Sequence, residues 1–177
     1  MVQIDIGSRK IGDGQPCFVV AELGQNHNGD VYTATRLMKA AQDAGCDAVK
    51  LCKRDILSEL TAEAFQRPYE GPQSFGKTYG EHRLALELTP AEYGHLAERV
   101  RYNGWPFTLF ATACDVKSAY DIEASLNPPL YKVASRDLDN LPLIYHLARL
   151  LKPIVLSAGM AEEGEIEASL STVRTIH

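Results

Sequence analysis

At 177 residues, the chain is long enough for one domain with a substantial hydrophobic core. Its composition is that of an ordinary globular protein, with 45% hydrophobic and 23% charged residues and a formal net charge of −5. This mild acidity argues against binding to nucleic acid or an anionic membrane, because those partners favour clusters of basic residues. An anionic ligand would therefore have to be held by a local site.

Targeting signals and disulfides are not indicated by the sequence. The N-terminal stretch alternates and is too polar for a signal peptide, and no apolar run approaches the roughly 18 residues of a membrane span. The four cysteines, at positions 17, 46, 52 and 114, form no C-x-x-C pair. This spacing favours reduced structural thiols over a metal cluster. These features predict a cytoplasmic protein that binds neither nucleic acid nor a membrane.

The first 16 residues predict a small β-hairpin. The stretch Val2–Ile6 alternates, Gly7 interrupts the alternation, and a turn signal lies at Ile11–Gly14. We expect this hairpin to cap one end of a larger unit that covers residues 17–177.

Residues 18–45 predict a buried strand, a polar loop and a helix. The stretch Phe18–Ala21 is apolar, and Glu22 stands directly at the C-terminal end of this strand. A loop with amide and imidazole side chains follows, and Asp30 is the expected N-cap of a helix that Gly45 ends. Such strand-to-helix junctions are where α/β proteins place their chemistry.

The pattern of a strand followed by a helix then repeats four times. Predicted strands cover residues 47–52, 106–112, 130–135 and 154–157, and a segment with helical periodicity follows each of them. The helix after the second strand begins with a capping box at Thr89–Glu92. Periodicity is weak between residues 55 and 87, which predicts either a functional connection or a series of short helices.

Five strand–helix units in strict alternation predict a parallel sheet covered by helices. The alternatives are an open doubly wound sheet and part of a (β/α)8 barrel of the TIM type. No phosphate-binding glycine motif follows the first strand. Polar side chains at the C-terminal ends of all five strands favour the barrel. A complete barrel needs about 250 residues, so we expect five of the eight units, with two unpaired sheet edges and an uncovered inner face.

Four of the strand-end side chains predict an anion site. They come from four different strands and are Lys50, Thr112, Ser135 and Ser157. One cation and three hydroxyls around a concave centre suit a phosphate or a carboxylate, because these groups accept charge-assisted hydrogen bonds. The alternative is that each serine only starts a turn and that Lys50 lies at the solvent edge.

Four further polar residues are candidates, and each has a structural alternative. Glu22 is an acid/base group, a support for a metal or a structural partner of Lys50. His27 is expected to be exposed in the polar loop, where it contacts a ligand or caps the loop. Lys132 is either a lysine that forms a Schiff base or an ordinary strand residue. Asp137 either assists a hydroxyl group or begins a helix.

The chain resembles the sialic acid synthase family (N-acetylneuraminate synthases), including its spore-coat polysaccharide relatives. The most specific matches are Ala21–Gly29, which reads A-E-L-G-Q-N-H-N-G, and L-S-A-G-M at Leu156–Met160. Further matching stretches are Asp47–Lys50, Lys132–Ser135, Leu141–Leu143 and Lys152–Val155. The chain differs from the family at Cys52-Lys53, where a pair with glutamine is more usual, and at Phe110–Cys114, where a Ser-Thr-Pro pattern is common.

This resemblance implies an enzyme that condenses phosphoenolpyruvate with an N-acetylated amino sugar, such as N-acetylmannosamine, and releases phosphate. It implies an N-terminal barrel followed by a small antifreeze-like domain, which closes the site from the partner subunit of a homodimer. It also implies a divalent metal, manganese or magnesium, that polarises the sugar aldehyde. The family's metal-binding histidines lie after the fifth unit, so no metal ligand is predicted in this chain.

The resemblance also implies roles for individual residues. The residues implied to hold phosphoenolpyruvate are Lys50, Thr112, Ser135 and Ser157. Glu22 and Asp137 fall at acidic, catalytic positions near the reacting centre, the second where the family usually has glutamate. Asn26 and His27 are predicted as further contacts from the loop.

Two other functions are compatible with the same residues. A chain without the last three barrel units fits a non-catalytic remnant that binds an anionic metabolite or a full-length subunit. A Schiff-base aldolase that uses Lys132 is the third hypothesis.

Overall fold

The computed structural model describes residues 3–176, so Met1, Val2 and His177 lie outside the described residues. Strand β1 (Gln3–Ile6) pairs antiparallel with β2 (Arg9–Gly12), and Gly7 adopts a positive φ of 58° in the turn between them. The predicted hairpin is therefore confirmed at Gln3–Gly12, and its expected first residues, Met1 and Val2, lie outside the described range.

The remaining strands form a five-stranded parallel sheet. They are β3 (Val20–Gly24), β4 (Ala48–Lys53), β5 (Thr108–Ala113), β6 (Tyr131–Val133) and β7 (Ile154–Leu156). The order across the sheet is β3-β4-β5-β6-β7 and follows the order along the chain. A doubly wound sheet reverses its strand order at a switch point, and the described sheet contains no such reversal. The prediction of an α/β fold with a parallel sheet is confirmed.

Helices follow every strand of this sheet. They are α1 (Val31–Asp43), α2 (Ile56–Glu59), α3 (Ala62–Gln66), α4 (Tyr79–Ala85), α5 (Pro90–Asn103), α6 (Val116–Leu126), α7 (Leu141–Ala148) and α8 (Glu163–Arg174). The segment between residues 55 and 87, where periodicity is weak, contains α2, α3 and α4. The predicted alternative of a series of short helices is therefore confirmed. Within residues 3–176, no helix has both the length and the apolar character needed to cross a bilayer.

The helix ends follow the local signals in the sequence. Asp30 caps α1, and its carboxylate accepts hydrogen bonds from the backbone N–H groups of Tyr32 and Thr33. The capping box is present at the start of α5, where Thr89 Oγ1 accepts from the N–H of Glu92 and the Glu92 carboxylate accepts from the N–H of Thr89.

The main hydrophobic core lies between one face of the sheet and the helices. Alternate strand residues such as Val49, Leu51 and Val133 are fully buried there, together with residues of α1, α5, α6 and α7. Because side chains alternate across a strand, the neighbouring residues point to the opposite face.

The hairpin covers the opposite face only near the start of the strands. Ile6 packs there against Ala48, Phe110 and Leu130 in a small second cluster. Farther along, this face is open, and it is called the open face below. Val155 is 42% exposed on it.

One prediction about the first strand of the sheet is wrong. Phe18–Ala21 was expected to be a buried strand, but β3 begins at Val20, and Val19 and Val20 are 49% and 39% exposed. The reason is the position of β3 at an edge of the described sheet, where the one neighbouring strand, β4, covers it on one side alone.

Candidate anion-binding site

The register of the sheet brings the predicted residues to the open face. Glu22 lies opposite Lys50 on β4, and Cys52 lies opposite Thr112 on β5. Thr112 in turn lies opposite Lys132 on β6. Paired residues of neighbouring parallel strands point to the same side, so these five side chains share one surface at the C-terminal ends of the strands.

Lys50 is the centre of this surface. Its Nζ donates to Thr112 Oγ1 at 2.7 Å and forms an ion pair with Glu22 Oε2, also at 2.7 Å. The Lys50 side chain is 11% exposed, whereas that of Glu22 is 57% exposed. An ammonium group carries three N–H donors, and within residues 3–176 the ammonium group of Lys50 has two partners, Thr112 and Glu22. The predicted partnership of Lys50 with Glu22 is therefore present, and one donor remains for a ligand.

Lys132 supplies a second ammonium group to the same surface. Its Nζ donates to Ser157 Oγ at 2.6 Å and to the carbonyl of Val133. Burial, and after it the positive charge of Lys50, lower the pKa of Lys132. An anion bound between the two ammonium groups would relieve this repulsion. The sequence placed Lys132 on a strand but did not assign it to the anion site.

The two predicted serines differ in their position relative to the cavity at the open face. Ser135 begins a short 3-10 helix (Ser135–Asp137) and lines a cavity of about 350 Å³ together with Glu22, Lys50 and Thr112. Ser157 and Lys132 are not among the residues that line this cavity, and the hydrogen bond from Lys132 Nζ joins the two beside it. The structure thus brings three of the four predicted anion contacts to one cavity and holds the fourth beside it.

Two arginines also line the cavity. Glu59 Oε1 accepts from Arg54 Nη1 at 3.1 Å and from Arg136 Nη1 at 2.6 Å, which holds the two guanidinium groups side by side. Of the described residues, three cations line this cavity, and Glu22 is the one carboxylate. The site is therefore locally positive in a chain of net charge −5, as an anion site requires.

Asp137 lies next to this cavity without lining it. Its Oδ2 accepts from Nε of Arg136 at 3.2 Å, and the side chain is 13% exposed. Burial raises the pKa of Asp137 above the ordinary range of an aspartate. Its catalytic role stays a prediction.

The loop after β3 corrects a second prediction. His27 was expected to be exposed, but its side chain is 1% exposed, while Asn26 is exposed. The loop is pressed against the end of α4, because a Cβ on Gly29 would lie 2.0 Å from the carbonyl oxygen of Ala85. His27 Nδ1 accepts from the Gly29 N–H at 3.1 Å, so the histidine caps the loop, and burial lowers its pKa.

A metal ion does not fit the described residues. Between residues 3 and 176, no three His, Cys, Asp or Glu side chains form a group that could hold a metal ion. Glu22 is a single carboxylate and is paired with Lys50. The described residues therefore supply no ligand set for the divalent metal that the resemblance implies.

Comparison with known proteins relates this chain to a family of biosynthetic enzymes. The chain is 38% identical over 152 residues to the N-acetylneuraminate-9-phosphate synthase of Mus musculus, which covers 86% of this chain and 42% of the mouse protein. The chain thus spans less than half the length of this relative.

Two solved structures share the fold. The N-acetylneuraminic acid synthetase of Leptospira borgpetersenii, solved in complex with citrate, matches with a TM-score of 0.81 and 28% identity over 99% of this chain and 56% of that one. The spore coat polysaccharide biosynthesis protein spsE of Bacillus subtilis matches with a TM-score of 0.75 and 27% identity, over 99% of this chain and 45% of that one. The similar structures therefore include both a sialic acid synthetase and a spore-coat polysaccharide protein, the two groups that the sequence resembles.

The sequence model of the NeuB family matches residues 37–177, which is most of the chain and includes four of the five strand–helix units. The resemblance drawn from the motifs is confirmed by this match and by the sialic acid and spore-coat relatives. The chain belongs to the NeuB family.

Proposed function

We propose that this chain forms the phosphoenolpyruvate-binding part of a synthase that joins phosphoenolpyruvate to an N-acetylated amino sugar and releases phosphate. The observation that carries the proposal is the pair of ammonium groups, Lys50 and Lys132, held by hydroxyl groups on one face of the sheet. The names of the relatives, which are synthases of sialic acids and of related acids, support it.

The shape of the sheet supports a barrel in the complete protein. Five parallel strands follow chain order, their helices pack on one side, and the hairpin lies under the other side. We infer that further strands pair with β3 and β7, enclose the open face and complete a (β/α)8 barrel. In this arrangement residues 1–16 form the cap, and residues 17–177 form the first five barrel units.

The chemistry of the substrate suits the site. Phosphoenolpyruvate carries a phosphate and a carboxylate, and both accept charge-assisted hydrogen bonds from ammonium groups. Lys50 and Lys132 neutralise the ligand, and the hydroxyls of Thr112, Ser135 and Ser157 orient it. Fixed cations of this kind also stabilise the charge on the phosphate as it leaves.

Glu22 is the proposed acid/base group. Its carboxylate is paired with Lys50, yet the side chain is 57% exposed, so it can reach a second substrate above the bound phosphoenolpyruvate. Asp137 is proposed as a second catalytic carboxylate and Asn26 as a loop contact, whereas the buried His27 holds the loop that carries Asn26. A homodimer is proposed for the complete protein.

Binding of phosphoenolpyruvate tests the site assignment. At a ligand concentration about a hundredfold above the dissociation constant, we expect the melting temperature to rise by about 5–10 °C. Lys50→Ala removes the central cation and should abolish this rise. Lys39→Ala is the matched control, because Lys39 lies on α1 and pairs with Asp43 away from the site. An equal rise in the Lys50→Ala variant would contradict the assignment.

Turnover separates the synthase from a non-catalytic remnant. Release of inorganic phosphate that requires both phosphoenolpyruvate and an N-acetylated amino sugar, in buffer with Mn²⁺ or Mg²⁺, supports the synthase. Binding of phosphoenolpyruvate by the complete protein without any such release favours the remnant.

A Schiff-base aldolase is the second candidate function, because burial and Lys50 lower the pKa of Lys132 and so increase its unprotonated fraction. Borohydride reduction in the presence of pyruvate would then label Lys132 covalently. Absence of the label dismisses the aldolase.

A further inference from the structure

Two cysteines meet at the cavity that holds the anion site. Cys52 lies on β4, two residues after Lys50, and Cys114 follows β5, two residues after Thr112. Both line the cavity, and their Sγ atoms are 3.5 Å apart. A disulfide has an S–S distance of about 2.05 Å, so the two sulfurs need to approach by about 1.5 Å.

The hydrogen bond between the two thiols, together with the charges beside them, makes one of the thiols the more acidic. A hydrogen bond from the Cys114 thiol, and after it the nearby charges of Arg54 and Lys50, lower the pKa of Cys52 to about 6 despite burial. The same hydrogen bond and burial raise the pKa of Cys114. The lowered pKa favours the thiolate form of Cys52, and the thiol with the raised pKa, Cys114, is in contact with it.

The backbone around both cysteines is held in place. Tyr93 is fully buried, and its hydroxyl donates to the carbonyl of Cys52 at 2.9 Å. The N–H of Cys114 donates to the carbonyl of Lys53 at 3.2 Å. Because these hydrogen bonds resist movement of the backbone, the sulfurs approach mainly by rotation of the two side chains, and the remaining distance acts as a pull on the strand ends.

We propose that Cys52 and Cys114 form a reversible disulfide when the protein meets a hydroperoxide, and that this bond weakens anion binding at Lys50. The Cys52 thiolate attacks the O–O bond and becomes a sulfenic acid, and the alkoxide that leaves takes up a proton. The Cys114 sulfur then attacks the sulfenic sulfur, and water leaves. Two thiols give up two electrons and two protons, and the hydroperoxide becomes an alcohol and water.

The effect on binding follows from the position of the bond. The disulfide joins β4 to β5 beside the hydrogen bond between Lys50 and Thr112. Drawing the sulfurs together pulls on the strand ends that hold these two side chains. Loss of one charge-assisted hydrogen bond to the ligand would weaken binding by about tenfold or more. This second half of the proposal depends on the proposed function, whereas formation of the bond does not.

Peptide mapping by mass spectrometry tests the bond. Treatment of the 177-residue chain with hydrogen peroxide should yield a peptide that joins Cys52 to Cys114, lighter by two hydrogen atoms and restored by a reducing thiol. Cys52→Ser and Cys114→Ser should each abolish it, and Cys17→Ser and Cys46→Ser should leave it unchanged. Absence of the linked peptide, or pairing that involves Cys17 or Cys46, overturns the proposal.

The rate of alkylation tests the reactive thiolate separately. With iodoacetamide, the rate at Cys52 should rise with a midpoint near pH 6, and Cys114→Ser should move this midpoint upward. A midpoint at or above about pH 8.5, the value of an ordinary cysteine, contradicts the role given to Cys52.

Titration of reduced and oxidised protein with phosphoenolpyruvate tests the effect on binding. We expect the dissociation constant to be about tenfold higher in the oxidised protein, with no change in a Cys114→Ser variant treated with peroxide. Equal dissociation constants overturn the second half of the proposal. If the linked peptide forms but the reduced protein binds no phosphoenolpyruvate, the proposed function and the second half of the proposal are refuted. The proposed disulfide is supported in that case.

Discussion

The two faces of the parallel sheet are built from alternate residues of the same strands and are held by different forces. On the helix side, Val49, Leu51 and Val133 are fully buried against helices, and removal of apolar surface from water stabilises them. On the open face, Lys50 and Lys132 are held by ion pairs and hydrogen bonds to neighbours. The comparison shows that packing on the helix side stabilises the sheet. The open face of the same sheet carries the charged groups.

The largest effect is expected from a cavity on the helix side. Leu51→Ala removes a fully buried side chain from the core and should lower the free energy of unfolding by about 2–5 kcal/mol. Leu57→Ala is the control, because Leu57 is 72% exposed and its loss should change the stability by less than about 0.5 kcal/mol. Urea unfolding measures both. Equal losses would break the distinction between core and surface leucines on which the comparison depends.

A smaller effect, which depends on pH, is expected at a buried carboxylate beside the open face. Glu87 accepts hydrogen bonds from the Gln25 side chain and the Arg54 N–H, and lies 3.6 Å from Lys53. Burial outweighs these partners and raises the pKa of Glu87 to about 7 from its ordinary 4.5. The folded protein therefore binds this proton more tightly than the unfolded chain does.

The sign of the pH dependence follows from this raised pKa. The stabilisation by the Glu87 proton is complete below pH 4.5 and is lost as the pH rises through 7. Between these values the free energy of unfolding should fall by about 3 kcal/mol at most. Glu87→Gln should remove this fall, and Glu98→Gln, at an exposed position of α5, should retain it. A Glu87→Gln variant that retains the whole fall would contradict the effect of burial.

The sequence predicted those parts of the molecule that local signals determine. Asp30 and Thr89 mark helix starts because a cap is made within three residues of the chain. The strand-end positions of Lys50 and Thr112 followed from the alternation of strands and helices, and register then joined the two side chains.

The features that the sequence missed depend on contacts between distant segments. Lys132 joins the anion site because β6 pairs with β5 and β7 in one particular register, which periodicity within β6 does not reveal. The burial of His27 results from contact of its loop with α4, more than 50 residues away in the sequence. The contact between Cys52 and Cys114 has the same origin, since 62 positions separate them.

Backbone amide spectra of the 177-residue chain, recorded during titration with phosphoenolpyruvate, test most directly whether the open face is the binding surface. The account predicts that the largest shifts occur at the C-terminal ends of the strands, around Lys50, Thr112, Ser135 and Ser157, and that amides in the middle of α1 and α5 stay in place. Shifts concentrated in those helices, or no shifts at the strand ends at saturating ligand, would contradict it.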